Sequence, residues 1–275
     1  MMRWSPLLAL IAACGGATPP PSEPGVQQSP VPPHAAEATM KTPPVPLSAE
    51  ALQALVDDPS RSEADREADR RRKPVPMLAF LGVFEGMSVA DIGAGTGYTT
   101  ELLARAVGPT GRVLGHNTPF VLDRFAEGPW SERLAKPEMA NVVRVDRPFD
   151  DPLGPENTGL DGAINVLFYH DFVWQEVDRA AHNRAMFVAL KPGGSYVVID
   201  AHAAEGDGTT VTKTLHRIER SVIVQEVTAA GFVLADEGEF LRNLGDTRDW
   251  NALPSRSGRE EFSDKFALRF EKPSE

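Results

Sequence analysis

From residue 82 onward, short apolar runs alternate with amphipathic stretches. Met87–Ile92 has the length and apolar content of a buried strand. Tyr98–Val107 then places Leu102, Leu103 and Ala106 at helical spacing. Arg112–Gly115 reads as a short strand, Pro119–Ala126 as a helix and Val142–Asp146 as a further strand. Ala163–Tyr169 is almost continuously apolar, the pattern of a strand covered on both faces. Phe172–Leu190 is predicted helical and Tyr196–Asp200 a strand. A helix over 220–230, a strand Phe232–Asp236 and a last strand Lys265–Phe270 follow. This alternation predicts an α/β domain over residues 48–275, doubly wound around a mostly parallel seven-stranded sheet.

Upstream, Ser48 is a candidate N-cap for a helix carrying Leu52, Leu55 and Val56. The charged stretch Arg61–Lys73 reads as a solvated helix face with internal ion pairs. Pro74 suits the first turn of the next helix, whose Met77, Phe80 and Leu81 share one face. Residues 15–47 are rich in proline and contain no aromatic residue, so they are expected to form a disordered tether.

The first fourteen residues have a different character. Arg3 precedes the apolar run Leu7–Ala13, too short to span a bilayer but of signal-peptide proportions. Ile11-Ala12-Ala13-Cys14 resembles the bacterial lipobox. That resemblance implies acylation of the Cys14 thiol and a protein anchored by lipid, without a spanning helix. Gly15 after the cysteine favours the outer membrane, facing the periplasm. A secreted protein with an ordinary signal peptide, or a cytoplasmic one with a misread start, are the alternatives. Cys14 is the one cysteine of the chain, which excludes an internal disulfide.

Composition narrows the partners. A net charge of −11 repels phosphate backbones, so charge-driven nucleic-acid binding is not expected, nor is docking on anionic lipid. Hydrophobic residues at 41% are enough for a sizeable core.

The most informative segment is Asp91-Ile92-Gly93-Ala94-Gly95-Thr96-Gly97-Tyr98, between a predicted strand and a predicted helix. Glycines there let the backbone turn sharply and approach a ligand closely. The loop lacks the lysine of a P-loop, and G-A-G-T-G-Y does not match the G-x-G-x-x-G of nicotinamide enzymes. Asp91 is placed to attract a ligand ammonium group. The segment resembles motif I of the class I S-adenosylmethionine-dependent methyltransferases. Lys191-Pro192-Gly193-Gly194 is similar to the turn those enzymes carry before strand five. Together with the signal region and Arg72-Lys73-Pro74, this resembles a group of predicted exported methyltransferases whose substrate is unknown.

The resemblance implies S-adenosylmethionine as cofactor, with Asp91, Gly93, Ala94, Gly95, Gly97 and Tyr98 around it. Asn117 stands where the family usually has an acid on the ribose hydroxyls. Asp146 matches the residue that often meets the adenine amino group. Asn165 and Tyr169 bound the segment that lines the methionine end.

Methyl transfer from a sulfonium is an in-line displacement with an activated leaving group, so alignment matters most. A base is needed only where the acceptor must lose a proton. Tyr169-His170-Asp171 follows the fourth strand at the ligand-binding edge. His170 is the candidate base or acceptor-orienting group, with Asp171 beside it; a loop histidine capping the next helix is the competing reading. Asp200 and His202 close the fifth strand, and His216-Arg217 lies in a linker expected to fold over the pocket. With no close ligand spacing such as H-x-x-x-H, no metal is expected. The acceptor class is a small molecule or an envelope component. A non-catalytic ligand-binding module with the same fold is the alternative.

Overall fold

Residues 44–259 and 262–274 are described by a computed structural model. The expected signal peptide 1–14 with Cys14, and residues 15–43 of the expected tether, lie outside them. Seven strands make one sheet: β1 (Ser88–Ile92), β2 (Arg112–Asn117), β3 (Val142–Asp146), β4 (Leu160–Val166), β5 (Leu190–Ala201), β6 (Val233–Gly238) and β7 (Lys265–Glu271). Their order is β3-β2-β1-β4-β5-β7-β6. β7 is antiparallel to β5 and β6, while the other neighbours pair in parallel. Sequence order turns back between β1 and β4. In open α/β sheets such a switch point leaves a crevice at the carboxyl ends of the strands.

The central strands are buried on both faces because helices cover both: Val89, Ala90 and Ile92 on β1, Ala163 and Ile164 on β4, and Val197, Val198 and Ile199 on β5. Three helices precede the sheet: α1 (Ala49–Val56), α2 (Glu63–Arg72) and α3 (Pro74–Leu81). Ser48 and Ser62 cap the first two, each accepting a backbone N–H three residues on. α4 (Tyr98–Val107) follows β1 and buries Leu102, Leu103 and Ala106 as expected.

Several elements differ from the sequence reading. The helix after β2 runs on through α5 (Pro119–Val121), a π-helical turn (Leu122–Ala126) and α6 (Glu127–Leu134), which delivers the fully buried Trp130. The strand expected over Ala163–Tyr169 ends at Val166. Leu167 takes a left-handed φ of 60°, and Tyr169 already opens α7 (Tyr169–Trp174). The long helix expected over 172–190 is broken. Glu176 sits at φ 56°, and Asp178 caps α8 (Arg179–Ala189) by accepting from Ala181 N at 2.8 Å. α9 (Thr212–Leu215), α10 (Arg220–Ala229) and α11 (Pro254–Ser257) complete the chain. No helix among the described residues is long and apolar enough to cross a membrane.

The charged stretch is solvated in part only. Glu63, Arg66, Glu67, Arg70 and Arg71 of α2 are exposed, and Arg61 and Asp69 pair within the stretch, as expected; Asp65 instead turns inward and pairs with the crossover between β2 and β3. Arg61 is buried and donates to both carboxylate oxygens of Asp69 at 2.7 and 2.8 Å. Asp65 is buried against Arg133 of α6 (2.7 and 3.0 Å). Arg133 also bonds Glu101 of α4 and donates from Nε to Thr96 O at 2.7 Å. One guanidinium thus ties α2, α4, α6 and the glycine loop together. Replacing it leaves the buried Asp65 carboxylate without its hydrogen-bonded cation, whereas Glu101 keeps Lys136 and Arg105. Arg133→Met is therefore expected to lower the unfolding free energy by on the order of 3 kcal/mol, read by urea denaturation.

Candidate functional site

The loop Gly93–Gly97 joins β1 to α4, with Gly93, Gly95 and Gly97 all at positive φ. The end of β2 holds its shape. Gly93 N donates to Nδ1 of His116 (3.4 Å), Ala94 N to His116 O (2.8 Å) and Gly95 N to Oδ1 of Asn117 (2.8 Å). Asn117 Nδ2 returns a bond to Gly95 O at 3.0 Å. Burial drives the His116 pKa down to about 3, so the ring is neutral. Its Nε2 donates to Arg147 O (2.9 Å), which leaves Nδ1 as the acceptor the loop needs. The loop is preorganised. Asn117, the residue the resemblance gives to the ribose, here commits both amide groups to Gly95.

Asp91, two residues before the first glycine, is 2% exposed. Its Oδ2 accepts from Thr100 Oγ1 at 2.6 Å. Burial pushes its pKa up to about 6, against that hydrogen bond and the nearby Arg72 guanidinium. Arg72 lies over the Tyr98 ring at 4.8 Å, and Tyr98 Oη donates to Asp69 at 2.5 Å. An acid and a guanidinium from different elements therefore meet beside the glycine loop.

Both groups line a cavity of about 490 Å³, within the roughly 300–1,000 Å³ of small-molecule sites. Of the sequence-predicted residues, Asp91, Gly93, Ala94, Gly95, Tyr98 and His170 line it. Gly97 faces the other way, against Trp130. Asp146 pairs with Asn117 across the sheet but bonds Arg144. Asn165 is fully buried. Tyr169 points between α8 and α10, donating to Glu226 (2.9 Å) and accepting from Asn183 (2.7 Å). These last four do not line the cavity, and neither do Asn117 and Asp171.

Away from the glycine loop, the cavity is lined by His170, Ile199 and Ala201, and by residues from late in the chain, including Trp250, Pro254 and Lys265. Arg217, fully buried, holds this late segment by bonding Asp246 (2.9 Å) and donating to Trp250 O (2.9 Å). His216 reaches the cavity from the same linker, as expected.

His170 sits in a dense polar cluster. Its backbone N and ring Nδ1 bond the two oxygens of Asp200 at 2.9 and 2.8 Å. Nε2 faces Asp171 Oδ1 at 3.1 Å and His216 Nδ1 at 3.2 Å. Burial favours the neutral ring, but the Asp200 and Asp171 carboxylates push its pKa up to about 10. Asp171 is likewise held well below the usual carboxylate range, burial being overcome by hydrogen bonds with His170, His216 and Trp174. At neutral pH the His170 ring holds both protons, which suits orienting an acceptor better than removing its proton.

Sequence reasoning missed Arg72 and Lys265. Burial, with the Arg217 and Arg72 charges, brings the Lys265 ammonium down to about 8. Its Nζ donates to Ser263 O at 2.9 Å. Nothing in a linear reading places either residue at the cavity of the glycine loop.

Residues 49–127 match the family profile of protein-L-isoaspartate(D-aspartate) O-methyltransferase. The ribosomal RNA large subunit methyltransferase E of Syntrophobacter fumaroxidans is 31% identical over 121 residues, covering 41% of this chain and 56% of that protein. The chain thus spans little more than half the length of this relative. Among solved structures, a S-adenosylmethionine-dependent methyltransferase from Aquifex aeolicus aligns with a TM-score of 0.53 at 17% identity, over 82% of this chain and 99% of that one. A sarcosine dimethylglycine methyltransferase homologue from Galdieria sulphuraria aligns at 0.54 and 17%, over 78% and 91%. In its fold and strand order, the chain is similar to these S-adenosylmethionine-dependent methyltransferase structures.

Proposed function

We propose that the chain is a S-adenosylmethionine-dependent methyltransferase of the cell envelope, held at the outer membrane by a lipid on Cys14. Its acceptor would be a small molecule or an envelope component. The observation that carries the reading is the paired charge beside the open glycine loop. Asp91 meets the ammonium and Arg72 the carboxylate of a methionine moiety, while Gly93–Thr96 let the sulfonium nucleoside lie against backbone. A cofactor so held presents its methyl group toward His170, His216 and Lys265, where the acceptor is aligned for in-line attack. The net charge of −11 argues against a nucleic-acid acceptor. The profile match ends at residue 127, before the acceptor half of the cavity, so it supports the cofactor and not a particular acceptor.

Calorimetric titration of the purified protein with S-adenosylmethionine tests the reading. Saturable binding is expected, weakened about 10- to 100-fold in Arg72→Met by loss of the charge-assisted bond. No heat of binding to the wild type would sink it. Palmitate labelling lost in Cys14→Ser tests the anchor. The binding-module reading is favoured by one observation, the engagement of Asn117 with Gly95 in place of a ribose. Binding without methyl transfer to any envelope fraction would decide for it.

A further inference from the structure

We propose that His170, Asp171 and His216 form a binding site for one divalent transition-metal cation at the acceptor end of the cavity. His170 Nε2, Asp171 Oδ1 and His216 Nδ1 lie 3.1, 3.2 and 3.5 Å from one another. Two ligand atoms each about 2.1 Å from one cation stand about 3.0 Å apart at right angles and about 3.4 Å apart at the tetrahedral angle. The three separations fall close to that range, so all three atoms reach a common centre with little rearrangement once the cation displaces the Nε2 proton of His170 to solvent. Two imidazoles and one carboxylate favour a borderline cation such as zinc or ferrous iron over magnesium or calcium, which take oxygen ligands.

The surroundings are those of a built site. A metal-bound histidine is normally fixed through its other ring nitrogen, and Asp200, with no exposure, accepts from His170 Nδ1 at 2.8 Å. Trp174 Nε1 donates to Asp171 Oδ1 at 2.6 Å and orients that carboxylate. His216 holds a left-handed φ of 51° at the end of α9, a conformation that turns its ring toward α7. Arg256 approaches His216 Nε2 at 3.5 Å, but it is exposed and can swing away when Nδ1 takes a cation. His170 and His216 both line the cavity, so the remaining coordination positions open onto the space an acceptor would occupy. Spacing along the chain hides the set, since 46 residues separate its two histidines.

Metal binding stands without the methyltransferase reading; its use rests on that reading. An acceptor hydroxyl or thiol bound to the cation loses its proton to solvent more readily. The resulting anion would attack the cofactor's methyl carbon, the carbon–sulfur bond would break, and the neutral thioether would leave. The acceptor is thus assigned to the class that ligates a metal through oxygen or sulfur.

The test is titration of the chelator-treated full-length protein with Co²⁺, followed by visible d–d absorption, with Zn²⁺ competing. One saturable equivalent is expected. Asp200→Asn should weaken binding about 10- to 100-fold. His170→Ala removes the ring beside the buried Asp200 carboxylate and leaves it only backbone donors, a cost to the fold, so His216→Asn is the deciding variant. Asparagine tolerates the left-handed backbone, and the His170–Asp200 pair is untouched. His216→Asn should melt like the wild type and lose the saturable signal. Wild-type protein with no saturable Co²⁺ signal, or His216→Asn binding as well as wild type, overturns the site. Metal binding without any S-adenosylmethionine binding would keep the site and discard the methyltransferase reading.

Discussion

At pH 8, Asp91→Asn is expected to make the domain more resistant to denaturant while binding S-adenosylmethionine on the order of 100-fold more weakly. Both effects have one cause, a carboxylate kept ionised in a buried place. Its pKa is raised to about 6 by burial, above the value of about 3.9 in an unfolded chain. Between these values the native state binds more protons than the unfolded state, so stability falls as pH rises through the window. Above about pH 6 the ionised Asp91 costs the fold up to about 3 kcal/mol, which asparagine removes while still accepting from Thr100. The stability advantage of Asp91→Asn should therefore shrink as pH falls and close near about pH 4. Urea unfolding across pH 4–8 and calorimetry with the cofactor measure the two halves. An asparagine variant with wild-type affinity would refute the assignment of Asp91 to the ligand's ammonium.

Alanine at Gly97 and at Gly95 should fail in opposite ways. A Cβ on Gly97 would stand 2.5 Å from Cζ3 of Trp130, with a backbone φ of 86°. Trp130 has no exposure and cannot retreat. Strain and overlap together predict a loss of about 3 kcal/mol or more, visible as a large drop in Tm. Gly95 has a φ of 58° and nothing within 4 Å of the added carbon. Gly95→Ala should thus fold, with a loss of about 1 kcal/mol, yet bind the cofactor at least about tenfold more weakly because the methyl enters ligand space. If Gly95→Ala binds the cofactor like wild type, the ligand does not lie against this loop.

Much of this architecture is written in local pattern. The strand and helix flanking the glycine loop fall where alternation and glycine spacing predict, because both are fixed by neighbours in sequence. The breaks at Leu167 and Glu176 were not legible, since no glycine marks either left-handed turn. Arg61–Lys73 misleads in part, for a different reason. Charge alone cannot say whether a partner is water, a neighbour on the helix, or an arginine 68 residues away, as it is for Asp65. Asn117 shows the same limit at the site itself. Its place at the end of β2 was readable, but its bonds to Gly95 depend on how two strands lie side by side. The cluster of His170, Asp171 and His216 is likewise a product of the fold and not of spacing.

β7 follows the other six described strands in sequence, yet it lies between β5 and β6. Synthesis runs from the N-terminal end, so the two strands that flank it exist before it does and must wait, unjoined, for β7. Lys265 opens that strand, and Trp250 and Pro254 come just before it, all walls of the cavity. A nascent chain can therefore assemble the glycine loop early but cannot enclose a guest. Occupancy of the cavity then reports on completion of the whole domain, and a bound ligand should protect β6 and β7 from hydrogen exchange along with the loop it touches.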